Sequence, residues 1–137
     1  SSGVLGTKSG GPMAAAWAVM NYLGDEGYLR LTESARSTTR QLAQAIQSID
    51  GLHLRAAPDS TLLSFGAQGF DVFAVADELA LHGWYVDRQA PPDSLHCTVN
   101  AVHHQVIEEF IVDLSHAVTK VRDAGSSGSV GAYGTIE

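Results

Sequence analysis

Two stretches of this sequence carry residue types at spacings that allow chemistry. The first is Gly6-Thr7-Lys8-Ser9-Gly10-Gly11-Pro12. Its glycines bare backbone N–H groups, Thr7 offers a hydroxyl and Lys8 an ammonium, and the helix expected directly after it favours an anion at its N-terminus. A nucleotide-binding loop would place four residues between its first glycine and a Gly-Lys-Ser/Thr end, after a strand. Here Thr7 intrudes and the upstream Ser-Ser-Gly-Val-Leu is short. Two readings stand: a phosphate contact of another kind, and a purely structural start to the helix.

The second stretch is Ser94 to Asn100, which alternates as a strand does: Leu95, Cys97 and Val99 face one way, Ser94, His96 and Thr98 the other. His96 therefore leaves the apolar side and reads either as a satisfied structural histidine or as a contact to substrate or cofactor. Cys97 points into the core. His103, His104 and Glu108 can be drawn as metal ligands, but the pattern implies no third ligand, so it reads as a solvated helix start and no metal is expected. Neither a serine-histidine-acid arrangement nor paired carboxylates stand out.

The elements that must position these groups alternate between helix and strand. Met13 to Leu23 is an apolar run with Pro12 in its first turn, and Ala14, Ala15, Ala16, Trp17, Ala18, Val19 and Met20 leave it no polar face. Such a helix should be buried all round, between two domains or two subunits. Gly24-Asp25-Glu26-Gly27 is expected to break it, and an amphipathic helix to begin near Thr32 with Ala35, Leu42, Ile46 and Ile49 on one stripe. Leu52–Ala57 and Thr61–Ala67 read as a hairpin about Pro58-Asp59. Asp71 suits the N-cap of a helix carrying Val72, Val75, Ala76 and Leu79 and closed by Gly83. Trp84 to Gln89 reads as a strand, Pro91-Pro92 as a turn, and Gln105 to Arg122 as a helix striped by Ile107, Phe110, Ile111, Leu114, Val118 and Val121. Residues 124–137 are too rich in Gly and Ser to pack alone. The order implies an α+β layer, a small antiparallel sheet covered by helices on one face.

Composition narrows the classes. A formal charge of −7, from 15 acidic and 8 basic residues, argues against a nucleic-acid-binding surface. The single cysteine excludes an internal disulfide. With no apolar run of membrane-spanning length and no signal-like start, a cytoplasmic location is the expectation.

Taken together, Gly-Thr-Lys-Ser-Gly-Gly-Pro (6–12), Ala-Ala-Ala-Trp-Ala (14–18), Leu-Gly-Asp-Glu-Gly-Tyr (23–28), Leu-Ala-Leu-His-Gly-Trp (79–84) and Gln-Ala-Pro-Pro-Asp-Ser-Leu-His-Cys-Thr-Val (89–99) resemble, in order and spacing, the C-terminal third of group II pyridoxal-phosphate decarboxylases. The Pro-Pro-x-x-Leu-His strand and the Gly131–Gly134 tail are similar to sphingosine-phosphate lyases in particular. The resemblance implies the C-terminal small domain of a fold-type I pyridoxal-phosphate enzyme, preceded by a buried interdomain helix. It divides the chain into 1–29, the end of the large cofactor-binding domain, 30–123, the small domain, and 124–137, a flexible tail.

The resemblance further implies that Gly6, Thr7 and Lys8 contact the cofactor phosphate, Thr7 doing so across a homodimer. Relatives carry arginine where Lys8 stands, so the charge is kept and the bidentate fork lost. In relatives the lysine that holds the cofactor lies upstream of the glycine-rich loop, so this chain would lack it and contain no catalytic residue. His96 and Tyr133 are expected in the substrate channel. The implied activity is carbon–carbon cleavage of a phosphorylated long-chain amino alcohol, a small or lipid-like amine, to an aldehyde and phosphoethanolamine. Amino-acid decarboxylation and a non-catalytic stand-alone small domain are the alternatives, and a nucleotide-binding protein rests only on Gly-Thr-Lys-Ser.

Overall fold

A computed structural model describes residues 6, 8–125, 127, 128, 133 and 134. Helix α1 (Gly10–Ser48) is in fact two helices meeting at Gly24, where φ 57° and ψ −177° leave helical space. Glycine adopts that backbone without a side-chain penalty. The break expected over four residues is thus confined to one, and the helix resumes at once instead of near Thr32. Gly27 lies inside the resumed helix, where a Cβ would stand 2.9 Å from that of Leu23.

Beyond the kink, Ala35, Thr38, Thr39, Leu42, Ala43 and Ile46 form the buried stripe. The two threonines were not foreseen there. Their hydroxyls donate to the carbonyls of Ser34 and Ala35, at 2.9 and 2.8 Å, so burial leaves no polar atom without a partner.

Strands β1 (Leu52–Leu54) and β2 (Leu62–Ala67) form the expected antiparallel hairpin. Helix α2 (Val72–Leu81) starts on Asp71, whose side chain accepts from the Phe73 N–H at 2.8 Å. Past its end Gly83 takes φ 87°, the left-handed turn that glycine supplies there. Strand β3 is Asp87–Ala90, shorter and later than the expected Trp84–Gln89, because Trp84 is drawn toward Phe110 by its ring and toward Asp113 by its N–H. Strand β4 (Ser94–Thr98) pairs with β2 and β3, a 3-10 turn covers Ala101–Gln105, and α3 runs Ile107–Ala124. The last helix therefore starts two residues later than expected and ends two later, at Gly125 in the left-handed conformation.

The sheet order is β1-β2-β4-β3-β5, where β5 (Tyr133–Gly134) pairs with β3 in parallel. The sheet is accordingly antiparallel in four strands and parallel at the fifth. Leu52, Leu63, Phe65 and Leu95 alternate onto the face that α1, α2 and α3 cover, while His53, Leu62, Gln89 and Thr98 are exposed on the other. Ser94 departs from this pattern. It is buried although it alternates outward, and its hydroxyl donates to the Pro92 carbonyl at 3.0 Å, within the proline turn.

Among the described residues the first arm of α1 is left exposed. Met13 and Trp17 are 62 and 65 % exposed, and Val19, Met20 and Tyr22 are exposed with them. Covering each such side chain is worth roughly 1.5–3 kcal/mol. The separated chain should therefore bind an apolar dye and associate with rising concentration, and dye binding should fall when the helix is covered in a longer polypeptide. A monomeric chain, silent to the dye and melting sharply, would contradict this.

Candidate functional site

Strand β4 carries His96 between Ser64 on β2 and Asp87 on β3. His96 is half-buried and borders a cavity of about 220 Å³ walled by Trp84, Val99, Ile107 and Phe110. The walls are fixed by directional contacts. Trp84 meets Phe110 edge-on, with ring centroids 5.3 Å apart at 81°, and its Nε1–H donates to Asp113 Oδ2 at 2.7 Å.

Asp87, His96, Cys97, Thr98 and His103 bring polar groups to the lining of this cavity. His103 Nδ1 accepts from the Asn100 backbone N–H at 2.9 Å, so the neutral ring carries its hydrogen on Nε2. Among the described residues no group of three His, Cys, Asp or Glu side chains lies close enough to hold a metal ion. Asp87 and Trp84 are the members that sequence reasoning missed, while His103 was weighed only as a metal ligand and read as part of a solvated helix start. Asp87 lay within the expected strand, and pairing that strand with the one that carries His96 would have found it.

Cys97 alternates away from His96 as expected, yet both border the cavity, which wraps the end of β4 where the chain turns toward Ala101. Burial pushes its thiol from 9.0 up to about 12, and the carboxylate of Asp87 adds to the rise. Such a thiol stays protonated at neutral pH and is a poor nucleophile.

The glycine-rich loop is a separate feature. Gly6 and Lys8 are exposed and neither borders the cavity, while Thr7 lies outside the described residues. Ser9 caps α1, accepting from the Gly11 N–H at 3.4 Å. From Gly10 to Leu42, which does border the cavity, α1 covers roughly 50 Å of helix contour at 1.5 Å per residue. Tyr133 comes nearer to His96. The β5 register sets it beside Gln89, itself opposite Ser94, one like-facing step along the sheet from the Asp87–His96 pair.

This helix-and-sheet layer recurs in the C-terminal domain of fold-type I pyridoxal-phosphate enzymes. The cysteine desulfurase CsdA of Escherichia coli shares it over 88 % of this chain at a TM-score of 0.67 and 18 % identity, a likeness of fold alone. No family model matches the sequence. A sphingosine-1-phosphate lyase of Burkholderia pseudomallei superposes at a TM-score of 0.82 with 34 % identity, covering 90 % of this chain and 28 % of its own. The sphingosine-1-phosphate lyase of Arabidopsis thaliana is 33 % identical over 119 residues, 87 % of this chain and 22 % of that enzyme. An L-aspartate/L-glutamate decarboxylase of Pyrococcus horikoshii is 30 % identical over 85 % of this chain and 30 % of its own length. The chain belongs to the group II decarboxylase family of pyridoxal-phosphate enzymes, the sphingosine-1-phosphate lyases among its relatives, and corresponds to their C-terminal segment. It spans about a quarter of the length of the lyases it matches.

The buried thiol generates a prediction. In the unfolded chain Cys97 ionises near 9, in the folded chain near 12, so the folded state binds the proton more tightly. Its contribution to stability is constant below pH 9 and falls as the pH rises from 9 toward 12. Cys97→Ala should flatten that fall in denaturant titrations. At pH 8 the folded chain should resist iodoacetamide and react only on unfolding. Rapid alkylation of the native chain would show the thiol to be less enclosed.

Proposed function

We propose that this chain is the C-terminal part of a pyridoxal-phosphate-dependent carbon–carbon lyase that cleaves a phosphorylated long-chain amino alcohol to an aldehyde and phosphoethanolamine. The observation that carries the reading is the likeness to the Burkholderia sphingosine-1-phosphate lyase in both sequence and backbone over nine-tenths of the chain. The cofactor, when bound, accepts the electrons released as a bond at the amine-bearing carbon breaks.

The glycine-rich loop fits the phosphate of that cofactor. Lys8 is exposed and cationic, α1 presents the N–H of Gly10 at its N-terminus, and among the described residues no heavy atom lies within 4 Å of where a Cβ would stand on Gly6 or Gly10. An anion can therefore approach the backbone closely. By the resemblance, the lysine that bonds the cofactor would lie upstream of the glycine-rich loop, so neither Lys8, in the loop, nor Lys120, paired with Glu78 at 2.6 Å, is given that role.

The contour of α1 between Lys8 and the His96 cavity supports a division of labour in a homodimer. The loop of one subunit serves the cofactor of the other, while His96 and Tyr133 border a substrate channel. The exposed first arm of α1 would then be covered by the rest of the enzyme and the second subunit. In this reading the large domain would end near residue 29, within the helical arm that follows the kink at Gly24. A cytoplasmic enzyme remains part of this reading. Among the described residues no helix is long and apolar enough to cross a membrane.

The decisive assay incubates the full-length enzyme, loaded with cofactor, with a long-chain amino alcohol phosphate and separately with aspartate, glutamate and aromatic amino acids. Aldehyde and phosphoethanolamine are the expected products. Carbon dioxide from an amino acid, with no aldehyde from the lipid, would select the decarboxylase reading that the Pyrococcus relative supports. Thr7→Ala and Lys8→Ala should each weaken cofactor retention by about 1–3 kcal/mol, read as the cofactor dissociation constant from visible absorbance. Unchanged affinity in both removes the phosphate role. His96→Ala and Tyr133→Phe should raise KM or slow turnover moderately with the cofactor retained, whereas loss of a catalytic base would cost about a hundredfold or more. Wild-type kinetics in both would remove them from the channel.

A further inference from the structure

Asp71 does more than cap a helix. Its Oδ1 accepts from the Phe73 N–H at 2.8 Å, and its Oδ2 accepts from the Gly128 N–H, also at 2.8 Å, across 57 positions of sequence. A cap needs only one acceptor oxygen, which a serine would supply. The second oxygen is committed to the tail.

Gly128 shows independently that the tail lies against α2. A Cβ at that position would stand 2.1 Å from the Ala74 nitrogen, 2.2 Å from the Phe73 carbonyl carbon and 2.7 Å from the Phe73 oxygen. All three are main-chain atoms of the helix's first turn, which cannot swing aside as a flexible side chain would. Only glycine fits between them. Upstream, Gly125 ends α3 in the left-handed conformation, with φ 60° and ψ 32° and its N–H bonded to the Val121 carbonyl at 3.0 Å. That turn directs the chain away from the α3 axis.

The edge of the sheet shows what such a contact is for. β5 is only two residues long, pairing Tyr133 with Gln89 and Gly134 with Ala90. A pairing so short is marginal by its own backbone bonds. It gains if the chain leading to it is already fixed, because the entropy of bringing the tail to β3 is then spent over a few residues only.

We propose that Asp71 and Gly128 form a latch: the carboxylate at the start of α2 and the side-chain-free glycine lock the C-terminal tail onto that helix, hold β5 on β3, and thereby position Tyr133. Neither residue touches the cavity, so both are positioning residues. The functional half of the inference rests on the substrate-channel reading above; the latch itself does not.

Two variants of the full-length enzyme test it from opposite sides. Asp71→Ser keeps a capping hydroxyl for Phe73 but has no second oxygen to reach Gly128. Gly128→Ala leaves Asp71 whole and introduces the colliding carbon. Hydrogen exchange in the peptides that contain Gly128, β5 and β3 should quicken by about tenfold or more in each variant, as expected for losing a bond to a charged acceptor. The double variant should add little, since either change opens the same latch. Steady-state kinetics should show KM for the amino alcohol phosphate raised several-fold with cofactor absorbance and kcat little changed. Wild-type exchange in both variants would overturn the latch. Quickened exchange with an unchanged KM would overturn its role in positioning Tyr133. A wild-type enzyme that does not turn over the amino alcohol phosphate would refute the proposed activity instead, and the exchange rates would still decide whether the latch exists.

Discussion

Phe65 on β2 lies opposite Leu95 on β4, and both are completely shielded from water. Everything else in the domain is arranged about that pair. A slip of β4 by one residue against β2 would turn its own apolar side chains, Leu95 and the following Val99, out to the polar face, which would cost several kcal/mol at roughly 1.5–3 per large apolar side chain. The β2–β4 register is therefore fixed by burial, and the site inherits it: with Phe65 opposite Leu95, His96 must lie opposite Ser64, and the β3–β4 register adds Asp87 on its other side. The position of His96 follows from an apolar constraint.

The same reasoning separates the two arms of α1. Beyond Gly24 the helix has a polar and an apolar side, and the apolar side meets the sheet through Leu42, Ala43 and Ile46. Before Gly24 it has apolar residues all round, and among the described residues they stay exposed. A single continuous helix would carry both arms along one axis, but the glycine with φ 57° lets the first arm leave in a direction set by whatever covers it. The glycine-rich loop at its tip is then placed by that cover. Lys8 and His96 belong to one chain and to two different surroundings.

Much of this was legible in the sequence wherever a local rule and burial agree. The hairpin, the Asp71 cap, the Gly83 turn and the α3 stripe all combine a pattern of apolar residues with a residue that ends or starts an element. Errors arose where a side chain from elsewhere in the fold intervened. Trp84 looks like a strand residue by type, but its N–H bonds to Asp113 and its ring meets Phe110, both on α3, so β3 starts only at Asp87. Thr38 and Thr39 look like surface residues, but their hydroxyls bond to the preceding helical turn and so tolerate burial. Of the candidate site, His96 was visible by alternation. Its neighbour Asp87 was not, because it reaches His96 only through the pairing of β3 with β4.

The tail illustrates a different limit. Composition alone makes residues 124–137 unable to pack, and in isolation that is sound, since glycine and serine bury little apolar surface. Yet glycine's lack of a side chain is also what lets a backbone lie directly on another backbone, as Gly128 lies on the first turn of α2. There the bond is to a carboxylate at the positive end of a helix, where the donor N–H adds to those of the helix itself. An open β3 edge gains a partner by the same route, which removes a row of unpaired backbone groups that would otherwise be available to another chain. At Gly128 the residue type that marks the segment as unstructured when alone is thus the one that its contact with α2 requires.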